Sequence, residues 1–364
     1  MAKIISSAAR TQTTTPTNTR KEYIDTARGI GLILLVLGHI LTPYTYLYNW
    51  IYSFHMPLFF FLSGMVANEK RLNHFPSYLK KKASARLIPY FVIVLLAVII
   101  CFVIPSYRND LFANVTLTKE LSDIFWYCRP TWLYVGQVWF LVALFWSEIY
   151  FYGWHKLVGK RNFILQILVA LIFVVLSRHI WKLDPYVPFI QKIPFLLDVA
   201  CMGSFCYILG FMVTKYRLIE RLNKWVSLLL IPVLFAINIY FGTYSNGYVN
   251  MVDLVFVNAL RYVPAMIAGV LSILLVARFL EKIPCLKWMG KYSLPLFASH
   301  TFLIYLVREV VYWITGTHYT MMYDVPTKLA FLMTLGVLIL FIPVGYLYIF
   351  LQKKSKAIFS KSNR

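Results

Sequence analysis

Residues 23–39, "YIDTARGIGLILLVLGH", decide how this chain is read. The stretch has the composition of a membrane helix, yet it holds Asp25 and Arg28 near one end and His39 near the other. An ionisable side chain inside hydrocarbon costs a few kcal/mol or more, so it persists where it has a partner, a polar cavity or chemistry to perform. Arg28 and His39 are eleven residues apart, about 1100° of helical rotation, within roughly 20° of three full turns. They therefore share a helix face, with their backbones about 16 Å apart along the axis. Asp25, three residues before Arg28, lies on that face and can pair with it.

The rest of the chain has the same character. Of 364 residues, 60% are hydrophobic and only 14% charged, against about 45–50% and about 25% in soluble domains. Apolar runs fall near 24–41, 50–67, 87–105, 132–153, 163–181, 194–213, 225–242, 254–277, 292–313 and 327–350, each long enough to cross a bilayer as a helix. The expectation is an all-α polytopic membrane bundle of about ten transmembrane helices. It comprises a disordered tail over 1–21, a membrane domain over 22–351 and a basic tail over 352–364.

A net charge of +22 would suggest nucleic acid in a soluble protein. Here the basic residues alternate with the spans. With the N-terminus inside, the inner segments hold 26 Lys or Arg and the outer segments 6. The excess is the signature of retained cytoplasmic loops and places both termini in the cytoplasm. No nucleic-acid partner is expected. Trp132, Trp139, Tyr134, Tyr44, Tyr46 and Tyr48 suit interfacial anchoring on the outer side. The five cysteines form no CxxC pair, and neither a structural disulfide nor a metal site is expected.

The second run, "YSFHMPLFFFLSG" at 52–64, enters from the outer side and sets His55 at the depth of His39 on an antiparallel neighbour. Pro57 permits a kink, and Ser63-Gly64 permits close approach of helices lower down. Further inside, Glu148 can pair with a cation. Asp198 can bond a sugar or orient a histidine, and His300 can line a path through the bundle or bond a neighbouring helix.

"DTARGIGLILLVLGH" followed by "FHMPLFFFLSG" resembles the opening of the membrane-bound acyltransferase 3 family. The matches continue in "KKKASARLIPYF", "VWFLVALFWSE", "PFLLDVACMGSFCYILGFM" and "MGKYSLPLFASH". Among its branches the chain most resembles the compact one that includes fucose 4-O-acetylase-like proteins. The resemblance implies an inner-membrane O-acyltransferase, most often an acetyltransferase. Such enzymes move an acyl group from cytoplasmic acyl-CoA, a co-substrate rather than a tightly bound cofactor, to a hydroxyl of an extracytoplasmic carbohydrate. It makes Arg28 and His39 the catalytic pair, since the alcohol needs a base and histidine titrates near neutrality.

The donor's phosphates would be held by Lys80, Lys81, Lys82 and Arg86, with His300 along the donor path. His55, Asp198 and Glu148 are the candidates for contact with the acceptor. One departure from the family pattern is the run of lysines where arginine pairs are usual; lysine binds phosphate as a point charge without the guanidinium fork. A transporter is the alternative reading, because intramembrane charges also mark transport paths. It is disfavoured by the lack of a clear inverted repeat. A non-enzymatic subunit of glycan assembly, whose polar residues only hold helices together, is a further alternative.

Overall fold

In the computed structural model, residues 21–103, 117–130, 135–179, 193–317, 319 and 325–362 are described. The expected tail before residue 21 and the anchors Trp132 and Tyr134 lie outside them. The architecture is all-helical. It runs α1 (Glu22–Ile40), α2 (Tyr46–Tyr52), α3 (His55–Met65), α4 (Phe75–Val103), α5 (Leu117–Phe125), α6 (Trp139–Val158) and α7 (Phe163–His179). It continues as α8 (Leu197–Lys215), α9 (Lys224–Ile239), α10 (Ala259–Phe279), α11 (Pro284–Lys291), α12 (Ser293–Thr315) and α13 (Thr327–Ser362).

Among the described residues, seven helices are long and apolar enough to cross a membrane: α1, α4, α8 with its preceding turn, α9 with its π-helical extension, α10, α12 and α13. Three other expected crossings take different forms. α7 is apolar but shorter, and α6 dilutes its apolar residues with Glu148, His155 and Lys156. The run over 50–67 is divided between α2 and α3. The break falls at Ser53-Phe54, just before Pro57 in the first turn of α3, where a missing N–H leaves no helical hydrogen bond unmade.

The helices present outward-facing apolar residues such as Leu95, Leu229 and Leu332, the surface a lipid-embedded bundle requires. α1 packs against α3, α10, α11, α12 and α13, while α8 packs against α3, α6 and α7. α3 and α8 meet backbone to backbone. A Cβ on Gly64 would lie 1.9 Å from the Tyr207 carbonyl oxygen, and one on Gly210 would lie 1.9 Å from that of Phe61. Small residues at such crossings let helices approach closely where hydrocarbon gives no hydrophobic drive to associate. Between α9 and α10, the buried Asn238 amide donates to Ser53 Oγ (3.0 Å) and to the Ala265 carbonyl (2.7 Å), which ties both helices to the α2–α3 break.

Ion pairs draw the loops of one end together. Lys21 and Glu220 pair, as do Lys287 and Glu22 (2.8 Å) and Lys215 and Glu69 (3.2 Å). At the opposite end Thr42 Oγ1 donates to the Val325 carbonyl (3.4 Å), Arg129 pairs with Asp253 (2.9 Å), and Tyr44 and Tyr46 lie against Tyr248 and Tyr244. We refer to these as the basic end and the tyrosine end.

Candidate functional site

Among the described residues, two of the polar groups within the bundle are joined by α3. The first, toward the tyrosine end, is a set of three imidazoles. His39 is in the last turn of α1, His55 is the first residue of α3, and His300 is two turns into α12. The rings of His39 and His300 meet edge to face, with centroids 4.9 Å apart. Tyr52 lies between the other pair, 6.3 Å from His39 and 4.7 Å from His55.

Each imidazole is oriented by a backbone carbonyl three or four residues before it, His39 and His300 within their own helices and His55 across the α2–α3 break. Nδ1 of His39 donates to the Leu35 carbonyl (2.9 Å), that of His55 to Ile51 (2.9 Å), and that of His300 to Phe297 (2.6 Å). A proton committed to Nδ1 leaves the Nε2 lone pair of the neutral ring as the basic site. His55 and His300 are buried, at 2% and 0% exposure, whereas His39 is partly accessible. Of the three, His39 is the imidazole that keeps some accessible surface. His300, expected along the donor path, lies against His39.

The second group surrounds a cavity of about 440 Å³ at the basic end. α3 contributes Ser63, α4 contributes Tyr78, Lys81, Lys82 and Arg86, α6 contributes Glu148 and Phe151, and the α3–α4 connection contributes Lys70, Arg71 and His74. Glu148 is 1% exposed and organises the cations around it. Lys82 Nζ donates to its Oε1 (2.6 Å), and Arg86 grips both oxygens, Nη2 to Oε1 (3.0 Å) and Nε to Oε2 (3.2 Å). One carboxylate against two cations leaves the inner wall with one positive charge in excess, and Lys81, Lys70 and Arg71 add to it at the mouth.

Of the four residues expected to hold the donor's phosphates, Lys81, Lys82 and Arg86 line this cavity, while Lys80 is exposed and outside its lining. Glu148, read from sequence as a possible acceptor contact, sits in the cationic cavity. The contributions of Lys70, Arg71 and His74 were missed. The connection carrying them is short, and an "NEKR" turn directly after the Ser63-Gly64 helix end was the available signal.

Arg28 lies beside neither cluster's centre. It donates to Asp25 Oδ1 (3.2 Å), the pairing its spacing suggested, and to the Leu62 carbonyl near the end of α3 (3.4 Å). The neighbouring residue, Ser63, lines the cavity, so Arg28 braces the strip of backbone that forms part of its wall. Asp198 is fully buried in the first turn of α8, toward the tyrosine end, with Oδ1 accepting from the Val199 N–H (2.8 Å). Among the described residues, no group of histidine, cysteine and carboxylate side chains has metal-binding geometry.

His55 opens α3 beside the imidazoles, and Ser63 lines the cavity eight residues later, about 12 Å along the helix axis. A cationic cavity and an accessible imidazole are therefore served by the two ends of one short helix. A search of curated proteins found no match to this chain. A family model described as an acyltransferase domain matches residues 21–350, nearly the whole of the membrane bundle and both polar groups, and the chain belongs to the acyltransferase 3 family of membrane acyltransferases.

Proposed function

We propose that the protein transfers an acetyl group from acetyl-CoA, bound at the basic end, to a hydroxyl of a carbohydrate at the tyrosine end. The basic end faces the cytoplasm, as the 26 to 6 distribution of Lys and Arg indicates. The observation that carries the reading is the pairing of an accessible His39, its Nδ1 proton held by Leu35, with a cationic cavity at the far end of α3.

Phosphates of the coenzyme bind at the cavity mouth, where lysine and arginine supply charge-assisted hydrogen bonds. The Glu148 carboxylate holds Lys82 and Arg86 in place, and each keeps N–H donors to spare. The flexible thioester arm then extends along α3 toward the imidazoles. His39 Nε2 takes the proton of the acceptor hydroxyl as its oxygen attacks the thioester carbonyl, the C–S bond breaks, and the departing thiolate takes that proton to leave as coenzyme A. His300 and His55 fix the surroundings of that base, and Arg28 keeps the end of α3 in register with α1.

Incubation of the purified protein with labelled acetyl-CoA and a cell-surface glycan acceptor tests this. The expected result is acceptor-dependent release of coenzyme A with label on the glycan. Retention of all label on the coenzyme would contradict it.

A further inference from the structure

Near the tyrosine end lies a polar group that the donor cavity and the histidines do not use. Arg129 is 3% exposed although it carries a full charge. Nη1 donates to Asp253 Oδ1 (2.9 Å), and the Asn250 amide donates to Asp253 Oδ2 (2.9 Å), so the guanidinium is held from one side. Its Nε and Nη2 take no partner among the described residues. Asp198 has no exposed surface, its Oδ1 accepts from Val199, and its Oδ2 likewise takes no partner. The Phe195 N–H donates to the Trp126 carbonyl (2.8 Å), joining the two segments that carry Arg129 and Asp198.

The backbone here is unusual. Among the described residues, six other than glycine have left-handed φ, and four of them flank this group: Cys128 (55°) before Arg129, Phe195 (56°) and Leu196 (57°) before Asp198, and Leu254 (50°) after Asp253. Such conformations persist where the surrounding structure enforces them, and they concentrate at ligand sites. Two free donors and one free acceptor, all buried, are costly unless a ligand completes them.

A wall of contacts links the group to the catalytic imidazole. Asn250 also donates to Tyr248 Oη (3.3 Å), Tyr248 stacks with Tyr48 (6.1 Å, 8°), Tyr48 stacks with Tyr52 (3.9 Å, 18°), and Tyr52 borders His39.

We propose that Arg129 and Asp198 form the acceptor-recognition site, and that they take neighbouring hydroxyls of a neutral sugar rather than an acidic one. The inference rests on the transfer reading above and names its acceptor class. A diol matches the free groups, since one hydroxyl oxygen accepts from the guanidinium while another hydroxyl donates to Asp198 Oδ2. Charge decides against an acidic sugar: Asp253 already neutralises Arg129, and the Asp198 carboxylate repels a second anion.

The test is saturation-transfer NMR on the full chain in lipid nanodiscs, with methyl glucoside and methyl glucuronide as probes. The neutral glycoside should bind saturably, and the glucuronide about tenfold more weakly or worse. Asp198→Asn and Arg129→Lys should each weaken the glucoside by about fivefold or more. Asp198→Asn should also narrow the difference between the two sugars. Coenzyme A binding in the same samples reports intact folding. Equal or tighter binding of glucuronide by the wild-type chain, no saturable glucoside binding, or folded variants that bind glucoside normally would each overturn the site. Glucoside binding as expected with no acetyl transfer would instead contradict the proposed reaction and leave this site standing.

Discussion

Glu148 shows how one residue can set the character of a membrane cavity. It is an anion with almost no solvent, and it survives there because Lys82 and Arg86 supply three hydrogen bonds to its two oxygens. Removing one member of such a group leaves the others uncompensated, at a cost of about 3–5 kcal/mol for fully buried ions. Lys82 and Arg86 keep 19% and 24% of their side-chain surface, which places Glu148→Gln near the lower end, about 3 kcal/mol. Thermal unfolding in detergent should show that loss, and donor affinity should fall with it as the two cations lose their fixed positions. Lys82→Gln should cost less, because Arg86 still holds both carboxylate oxygens. A Glu148→Gln protein with unaltered melting and unaltered donor binding would remove the organising role assigned to this carboxylate.

At the scale of elements, the α3–α8 crossing fixes the distance between the imidazoles and the cavity, and it has no spare room. Gly210→Ala drives a methyl group into the Phe61 carbonyl, and the overpacking should cost about 1–3 kcal/mol or more. Melting temperature and folded yield are the readouts, and full wild-type values in both would contradict the close packing. On α5, outside the spans, burial and then the neighbouring Asp123 push the Glu120 carboxyl up to about 7. The folded protein therefore holds this proton more tightly than the unfolded chain does. The associated stability is fully present below the ordinary carboxylate range and is lost as pH rises through about 7. Melting curves from pH 5 to 8 should show the decline, and Glu120→Gln should flatten it. Glu69, at the basic end, has the opposite sense. Burial alone would raise its carboxyl, but Lys215 and His155 more than offset this and hold it below its usual range. Its contribution is lost only in acid, which separates it from Glu120 in the same titration.

On the proposed reading, the whole molecule brings two compartments to one reaction. Ten apolar runs, alternating basic loops and the Arg28–His39 spacing were legible from composition and period alone, because lipid leaves the backbone few other ways to fold. The Asp25–Arg28 pair was legible for a similar reason: residues close along one helix stay close in space. What joined distant segments was hidden. Nothing in the sequence sets Glu148 against α4, His300 against His39 or Arg129 against Asp253, since each contact depends on how helices far apart in the chain cross. The split of the second run at Ser53-Phe54 was partly signalled by Pro57, but the extent of the break was not. Reporter fusions should place both termini in the cytoplasm, and a C-terminal reporter on the outer side would reverse which face of the bundle meets the donor. The central claim, that His39 performs chemistry on a donor bound at the other end of α3, is tested most directly by His39→Gln. Turnover of labelled acetyl-CoA should fall by about 10²-fold or more, while a non-hydrolysable acetyl-CoA analogue binds as it does to the wild-type protein, because a general base acts in the transition state. Turnover within a few-fold of wild type in a folded His39→Gln protein would contradict the account.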